Sequence, residues 1–194
     1  MQPIFNIENK FFIFKNVISK EYANSLIKNT INKIEEDNRI NYTDEVKIFP
    51  NCIEIDIAPK NEFRTIIDKT ISKYINSIYK NEIFEIKSHQ SGILFYKDTH
   101  HMGIHRDGGP EESPRICTSV LYLNNKTENG MGGDLVCYSG DHNNAEIIYT
   151  YSPEIGDLII FDSFYNKNEN ALLHSVNTIK NWERFVYRTY WEKK

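Results

Sequence analysis

The chain has 194 residues, of which 40% are hydrophobic and 26% charged, as expected for a single globular domain with a sizeable core. Its formal net charge of −4 gives no electrostatic argument for binding to nucleic acid or to an anionic membrane surface. No run approaches the ~18 consecutive apolar residues of a membrane span, and the first residues do not have the pattern of a signal peptide. We therefore expect a cytoplasmic protein without nucleic-acid or membrane partners.

The three cysteines of the chain are Cys52, Cys117 and Cys137. No two of them stand in a CxxC spacing, and their number is odd. This pattern favours neither a zinc site nor a disulfide framework, so we interpret them as reduced thiols.

Helical periodicity dominates the first 81 residues. A short apolar strand over 11–17 precedes Ser19, which is predicted to cap a first helix. A second helix is predicted from apolar residues at spacings of three and four. The two apolar stripes are Tyr22, Leu26, Ile27, Ile31 and Ile34 in the first helix, and Phe63, Ile66, Ile67, Ile71, Tyr74, Ile75 and Ile78 in the second. A strand over 46–57 separates the helices, and both stripes are expected to cover one face of a sheet.

Short β-rich runs alternate with turns from residue 82 onward. The predicted strands are 83–97, 115–123, 133–138, 146–151, 157–162, 171–178 and 183–191. Many short strands with helices segregated to one end predict an α+β fold with a jelly-roll or small sandwich core. Because no linker or repeat divides the chain, we predict one domain over 1–194, with a helical support region (1–81) and a β core (82–194).

A histidine and an aspartate, His105 and Asp107, stand two residues apart just before a Gly-Gly-Pro turn. Side chains at i and i+2 of an extended backbone project to the same side, so both can reach one metal ion. His174, in a later apolar strand, would complete a 2-His-1-carboxylate triad, which suits non-haem Fe(II) oxygenases. Neither motif predicts a metal site by itself, because a His-x-Asp pair occurs by chance and a histidine in an apolar strand is more often a core residue.

An arginine, Arg184, follows His174 by ten residues and lies in the next predicted strand. A dicarboxylate held at a metal by one end needs a cation at its other end, and a guanidinium binds a carboxylate through two parallel hydrogen bonds. An arginine that points into a β-barrel without an anionic partner is disfavoured. The alternative is an arginine on a solvated edge strand, but the conjunction with both metal motifs favours a dicarboxylate site.

Ordered motifs over residues 92–191 resemble the prolyl-4-hydroxylase-like branch of the 2-oxoglutarate/Fe(II)-dependent dioxygenases. These motifs are Phe95-Tyr96 nine residues before His105, the strand 115–124 ending in Tyr-Leu-Asn, Gly132-Gly-Asp-Leu135, Gly156-Asp-Leu-Ile-Ile-Phe161, and His174 with Arg184. The chain departs from the family at Thr99, where glycine is frequent, and at His100 and His101. We interpret these two histidines as loop residues or as neighbours of the metal ligands.

The resemblance implies a double-stranded β-helix with the active site inside its mouth. The implied ligands of Fe(II) are His105, Asp107 and His174. Arg184 would pair with the distal carboxylate of 2-oxoglutarate, Tyr122 would donate a hydrogen bond to it, and Tyr96 would line the same pocket. The implied reaction uses O2, releases succinate and CO2 and hydroxylates an unactivated C–H bond, with ascorbate as a candidate reductant. A carboxylate at Asp107 fits hydroxylation, whereas the related halogenases have a small residue there.

One further arginine, Arg188, bears on the kind of substrate. Strand alternation places it on the same face as Arg184 and Tyr190, unless a bulge inverts the parity. A second inward arginine near the iron needs an anion, which favours a small amino-acid-like or other anionic substrate. The alternative is an arginine at the barrel end that pairs with an acid such as Glu183 or Asp162. Arg188 and Tyr190 are therefore candidate substrate contacts, together with Arg115 at the start of the Tyr-Leu-Asn strand.

Two other functions stay open. One is the hydroxylation of prolyl or other residues in a polypeptide, which an exposed groove and a mobile loop near residues 38–50 would favour. The other is a non-catalytic jelly-roll module that binds a metal or another ligand; it predicts no 2-oxoglutarate binding and leaves Arg184 without a partner. The polar loops 108–114 and 163–170 flank the metal motifs and are candidate lids.

Overall fold

The computed structural model of the chain describes residues 2–7, 10–39, 46–57, 61–79, 86–107, 115–163 and 171–193. The candidate lid 108–114, the candidate lid 163–170 apart from its first residue, and the centre of the loop near 38–50 lie outside these residues. The helices are α1 (Lys20–Arg39) and α2 (Glu62–Ile78). The strands are β1 (Phe5–Ile7), β2 (Phe11–Phe14), β3 (Val46–Phe49), β4 (Cys52–Asp56), β5 (Ile86–Tyr96), β6 (Met102–His105), β7 (Arg115–Tyr122), β8 (Leu135–Ser139), β9 (Glu146–Tyr151), β10 (Leu158–Asp162), β11 (Leu173–Val176) and β12 (Arg184–Lys193).

Two antiparallel sheets face each other. The major sheet has eight strands in the order β1-β2-β10-β7-β12-β5-β4-β3, and the minor sheet has four in the order β6-β11-β8-β9. Apolar side chains from both sheets meet in one cluster, in which Leu94 and Val186 of the major sheet join Leu135 and Val176 of the minor sheet. The core is a double-stranded β-helix, and the predicted α+β fold class is confirmed.

Both helices cover the outer face of the major sheet, as predicted from their apolar stripes. In α2, the buried residues Ile67, Ile71 and Ile75 repeat every four positions and therefore lie along one side of the helix. In α1, Leu26 is buried in the same cluster. The predicted cap is confirmed, because Ser19 Oγ accepts a hydrogen bond from the backbone N–H of Tyr22 at 3.2 Å. Neither described helix is both long and apolar enough to cross a lipid bilayer.

The predicted stripes are wider than the buried ones. Ile66 and Ile31 are 44% and 38% exposed. Each follows or precedes a buried position by one residue, which turns the side chain about 100° away from the sheet on a helix of 3.6 residues per turn. The side chain of Ile34 lies outside the described part of the structure.

The predicted strand over 46–57 is a hairpin of two strands. β3 pairs with β4 in antiparallel register, with Phe49 opposite Cys52. Pro50 and Asn51 form the turn between them. A proline has no N–H group and does not continue a strand ladder, so Pro50 is the signal that separates the two strands. Strands β1 and β6 are missing from the predicted set, because they are short and, unlike the four-residue strand β2, are not continuous apolar runs.

The side chains of strand β12 alternate between the outer and the inner face of the major sheet. Phe185 and Tyr187 pack beneath the helices, whereas Arg184, Val186 and Arg188 line a pocket between the sheets. The register shift between β12 and β5 falls in β5, where the partners of β12 pass from residue 91 to residue 89. The alternation along β12 is therefore preserved, and both arginines point to the same side.

Candidate active site

A pocket of about 430 Å³, including its open mouth, lies between the two sheets. Its polar lining residues are Tyr96, His105, Asp107, Tyr122, His174, Arg184 and Arg188. All seven were singled out from the sequence. The remaining lining is apolar and comes from both sheets, for example from Leu94, Leu135 and Phe161, so the polar groups converge on a largely dry space.

The triad of His105, Asp107 and His174 is assembled by neighbouring strands of the minor sheet. His105 of β6 stands directly opposite His174 of β11. The Nε2 atoms of these histidines lie 3.3 Å and 3.9 Å from the two carboxylate oxygens of Asp107. One ligand atom from each residue lies within 4.8 Å of the others, and no other group of three such residues is found in the described ranges.

Both histidine rings are oriented by the backbone. The Nδ1 atom of each histidine donates a hydrogen bond to the carbonyl oxygen two residues earlier, Gly103 at 2.8 Å and Leu172 at 3.0 Å. A carbonyl oxygen only accepts, so Nδ1 carries a proton in each ring, and Nε2 is the ring atom that faces Asp107 and is left for a metal ion. Phe161 packs against the His174 ring, with 4.5 Å between ring centroids, and limits its rotation.

The electrostatics of the triad favour an ionised carboxylate. Burial acts to raise the pKa of Asp107, but the hydrogen bond from His105 and the nearby charge of His174 hold this pKa well below its ordinary value. Burial acts to lower the pKa of His105, and its interaction with Asp107 raises it above the ordinary value. Burial lowers the pKa of His174. The group thus presents a carboxylate and two imidazoles, which are the donors that suit a non-haem Fe(II) site.

Arg184 lies on the opposite wall, in the major sheet, and is 2% exposed. Its Nη2 atom donates a hydrogen bond to the Tyr122 hydroxyl at 3.2 Å, while Nε and Nη1 are buried without a hydrogen-bond partner among the described residues. The guanidinium lies 4.7 Å and 5.1 Å from the ring centroids of Tyr96 and Tyr122. A buried guanidinium with two unpaired nitrogen atoms is costly, so this pocket fits an anion that the described residues do not supply.

The two tyrosines beside Arg184 remain protonated at neutral pH. Burial raises the pKa of Tyr96 to about 12 and raises the pKa of Tyr122 above its ordinary value. Because the Tyr122 oxygen accepts a hydrogen bond from Arg184, its own hydrogen is free to be donated to a ligand oxygen. Arg184 and Tyr122 therefore form a paired donor site for a carboxylate.

Arg188 also lines the pocket, but its charge is balanced within the protein. Its Nη2 atom donates a hydrogen bond to Glu54 Oε1 in a salt bridge whose side chains are 15% and 11% exposed. Glu54 lies on β4, which is separated from β12 by β5. Gly92 stands opposite Arg188 in β5 and has no side chain, so the arginine can reach across this strand. The sequence left open that Arg188 pairs with an acid, and it does so with Glu54 rather than with the suggested Glu183 or Asp162.

The structure places Arg115 and Tyr190 outside the pocket lining, in contrast to the expectation that both contact the substrate. The Tyr190 ring lies between two guanidinium groups, 3.8 Å from Cζ of Arg115 and 4.6 Å from Cζ of Arg188. Arg115 is at the far end of β7, where it faces Glu192 of β12. Tyr190 thus makes cation–π contacts with both arginines.

Two residues that shape the site were missed in the sequence. Glu54 has a weak signal, a charged residue between two isoleucines of β4. Arg106 has none, since nothing in the sequence shows that its side chain bonds to backbone carbonyl groups of Gly140 and Ala171. His100 and His101 lie in the connection between β5 and β6 and are not among the pocket-lining residues, in agreement with their interpretation as loop residues.

The family model described as the 2OG-Fe(II) oxygenase superfamily matches residues 91–192, which is more than half of the chain. No curated protein sequence matches it significantly. Several solved structures share its fold over nearly the whole length.

Three of these structures are prolyl hydroxylases. The viral collagen prolyl hydroxylase of Paramecium bursaria Chlorella virus-1, solved as a 2OG complex, is 18% identical, with a TM-score of 0.71 over 94% of this chain and 95% of that chain. A prolyl-4-hydroxylase of Pseudomonas putida is 16% identical, with a TM-score of 0.69 over 95% and 93%. A prolyl hydroxylase of Trichoplax adhaerens, solved with a peptide fragment of a hypoxia inducible factor, is 16% identical, with a TM-score of 0.64 over 95% and 84%.

At these identities the structural likeness shows the fold alone, and the family follows from the matched model. The matched residues include His105, Asp107, His174 and Arg184, which face one another across the pocket. The chain therefore belongs to the 2OG-Fe(II) oxygenase superfamily and is a 2-oxoglutarate-dependent dioxygenase with a prolyl-4-hydroxylase-like fold, which uses Fe(II), 2-oxoglutarate and O2.

Proposed function

We propose that this enzyme hydroxylates an unactivated C–H bond, with Fe(II) bound by His105, Asp107 and His174 and with 2-oxoglutarate anchored by Arg184. The observation that carries the proposal is the buried guanidinium of Arg184, with two N–H groups that have no partner among the described residues. It faces the triad across one pocket. We also propose that residues 1–194 act as one domain, since α1, α2 and strands from both halves of the chain build the major sheet and its cover.

The bound iron and 2-oxoglutarate supply the oxidising chemistry, in which O2 is consumed, succinate and CO2 are released and a hydroxyl group is added to the substrate. The protein contributes position and environment. Arg184 holds the distal carboxylate through its fixed pair of N–H donors, and Tyr122 donates a further hydrogen bond to it. The apolar wall formed by Leu94, Val120 and Val186 excludes water, which strengthens both interactions.

The proposed activity is tested by titrating the metal-free protein with Fe(II) and 2-oxoglutarate in the absence of O2. We expect a visible charge-transfer band that grows with 2-oxoglutarate, followed by succinate release when O2 is admitted. A folded, Fe(II)-loaded protein without this band would overturn the proposal and favour a non-catalytic binding module.

For the substrate, we propose a small amino-acid-like or other anionic molecule that contacts Arg188. The support is the Nε atom of Arg188, which is buried without a partner among the described residues although Glu54 pairs with Nη2. A substrate carboxylate or carbonyl oxygen that accepts this N–H would satisfy it, while Glu54 keeps the charge of the wall balanced.

Arg188 is tested together with its partner. We expect Arg188→Met/Glu54→Gln, which removes both charges, to raise the KM of an anionic substrate by about 10- to 100-fold, because one hydrogen bond to a charged group is worth roughly 1.5–3 kcal/mol. The KM for 2-oxoglutarate is expected to stay unchanged, since Arg184 is intact. The measurement is succinate release in a screen of amino acids and other carboxylates. An unchanged substrate KM in the double variant would contradict this role of Arg188.

A second candidate is the hydroxylation of prolyl or other residues in a polypeptide. It is favoured by the shared fold with prolyl hydroxylases, one of them solved with a peptide. The same assay separates the candidates when free amino acids are compared with proline-containing peptides capped at both ends. Stimulation by the capped peptides alone favours the polypeptide substrate.

A further inference from the structure

Arg106 stands between two proposed iron ligands in the sequence, and its side chain crosses one end of the minor sheet. At this end β6 and β8 finish and β11 begins, and the three strands are neighbours in the order β6-β11-β8. Arg106 Nε donates a hydrogen bond to the carbonyl oxygen of Ala171 at 2.9 Å, and Nη2 donates one to the carbonyl oxygen of Gly140 at 2.9 Å. One side chain therefore links the ends of three strands.

The strand pairing at this place is short and irregular. β6 has four residues, and its register with β11 is given by two facing pairs, His105 with His174 and Met102 with Val176, with a shift between them. Beyond His105 the chain enters a bend that contains Asp107. After the facing pair of His105 and His174, the next bond between the two segments is thus the one from Arg106 to the backbone just before β11. Arg106 itself lies between the ligands His105 and Asp107 in the sequence.

The same bond also affects the third ligand. Ala171 precedes Leu172, whose carbonyl oxygen accepts the hydrogen bond from His174 Nδ1 at 3.0 Å. Restraint of Ala171 limits the movement of this peptide segment and therefore the direction of the His174 ring. Groups behind metal ligands act in this way, by fixing the orientation of the ligand atoms.

Resting on the proposed iron site, we propose that Arg106 is a positioning residue that sets the spacing of the three iron ligands by clamping the ends of β6, β8 and β11. Arginine suits this task because a guanidinium offers several N–H donors in fixed directions. Lysine has one nitrogen on a flexible chain, which would serve one of the two carbonyl groups at a time. Arg106 touches neither the iron nor 2-oxoglutarate in this assignment.

The test is a set of anaerobic Fe(II) titrations by calorimetry, without 2-oxoglutarate. We expect Arg106→Ala to bind Fe(II) about 10- to 100-fold more weakly than the parent, as found for residues behind metal ligands. Arg106→Lys is expected to recover part of this loss. With Fe(II) at saturation, the apparent affinity for 2-oxoglutarate should change by less than about threefold in both variants, because Arg184 and Tyr122 lie on the major sheet.

Arg64→Ala is the matched control, since Arg64 Nη1 donates a hydrogen bond to the carbonyl oxygen of Ile57 at 2.7 Å beside α2. We expect it to lower the melting temperature and to leave Fe(II) affinity unchanged. Arg106→Ala with parent-like Fe(II) affinity, or an equal loss in Arg64→Ala, overturns the positioning role while the iron site itself stands. If His105→Ala also fails to weaken Fe(II) binding, the proposed iron site falls with it.

Discussion

Replacement of Arg184 by methionine is expected to abolish 2-oxoglutarate binding and, in the metal-free protein, to raise the melting temperature. Methionine fills a similar volume but removes a buried charge whose Nε and Nη1 groups have no partner among the described residues. Exchange of a poorly compensated buried charge for an apolar side chain is often stabilising, here by about 1.5 kcal/mol. For a chain of this length such a gain corresponds to a rise of roughly 3–6 °C.

The loss of binding should be large because the charge of the guanidinium and several of its N–H donors are removed at once. Hydrogen bonds to charged groups are worth roughly 1.5–3 kcal/mol each, so the affinity for 2-oxoglutarate is expected to fall by at least about 100-fold. The measurement is thermal unfolding with and without 2-oxoglutarate at saturating Fe(II). 2-Oxoglutarate should stabilise the parent and leave the methionine variant unaffected.

Arg184→Lys is the control for charge alone. It keeps the cation but loses the planar donor pair, so we expect weakened 2-oxoglutarate binding without the rise in melting temperature. A methionine variant that melts below the parent would show that Arg184 has a stabilising partner inside the folded protein. A methionine variant that still binds 2-oxoglutarate would show that the anion site lies elsewhere.

Loss of one iron ligand is expected to abolish turnover. His174→Ala and Asp107→Ala each remove a donor from a set of three, and the effect on Fe(II) affinity should exceed the roughly 10- to 100-fold effect typical of residues behind the ligands. The two variants should differ in the stability of the metal-free protein. His174→Ala empties a buried position against Phe161, whereas Asp107→Ala removes the partner of His105. Calorimetry measures the Fe(II) affinity, and succinate release measures turnover.

His142→Ala is the matched control for the histidine variant, since His142 is exposed in the turn between β8 and β9. It should bind Fe(II) and turn over like the parent. Undiminished Fe(II) affinity in both His174→Ala and Asp107→Ala would contradict the assignment of the triad.

The secondary structure could be predicted wherever the apolar period extends over enough residues. α2 has a clean repeat of four and appears where it was expected, whereas β6, with four residues, has no readable period. The hairpin of β3 and β4 merges into one predicted strand because both of its strands alternate in the same way. Pro50 alone separates them, and a pattern based on hydrophobicity does not register a missing N–H group.

The polar lining of the pocket could be predicted because the residue types and their spacing in the sequence both indicate the same kind of site. His105 and Asp107 stand two residues apart, and His174 and Arg184 follow ten residues apart further along the chain. The salt bridge between Arg188 and Glu54 could not be predicted, because it joins residues 134 positions apart through the order of strands in the major sheet. The clamp by Arg106 depends in the same way on backbone carbonyl groups, which have no signature in the sequence.

The proposed ligands are divided between the two sheets. His105 and His174 belong to the minor sheet, whereas Arg184, Tyr122 and Tyr96 belong to the major sheet. On this division, the residues that would hold Fe(II) and those that would hold the distal carboxylate of 2-oxoglutarate lie on different sheets, so binding of both would join the two sheets. Iron would order the minor sheet and 2-oxoglutarate the major sheet, and each would thereby favour binding of the other. By thermodynamic linkage, the two ligands then raise each other's affinity by the same factor.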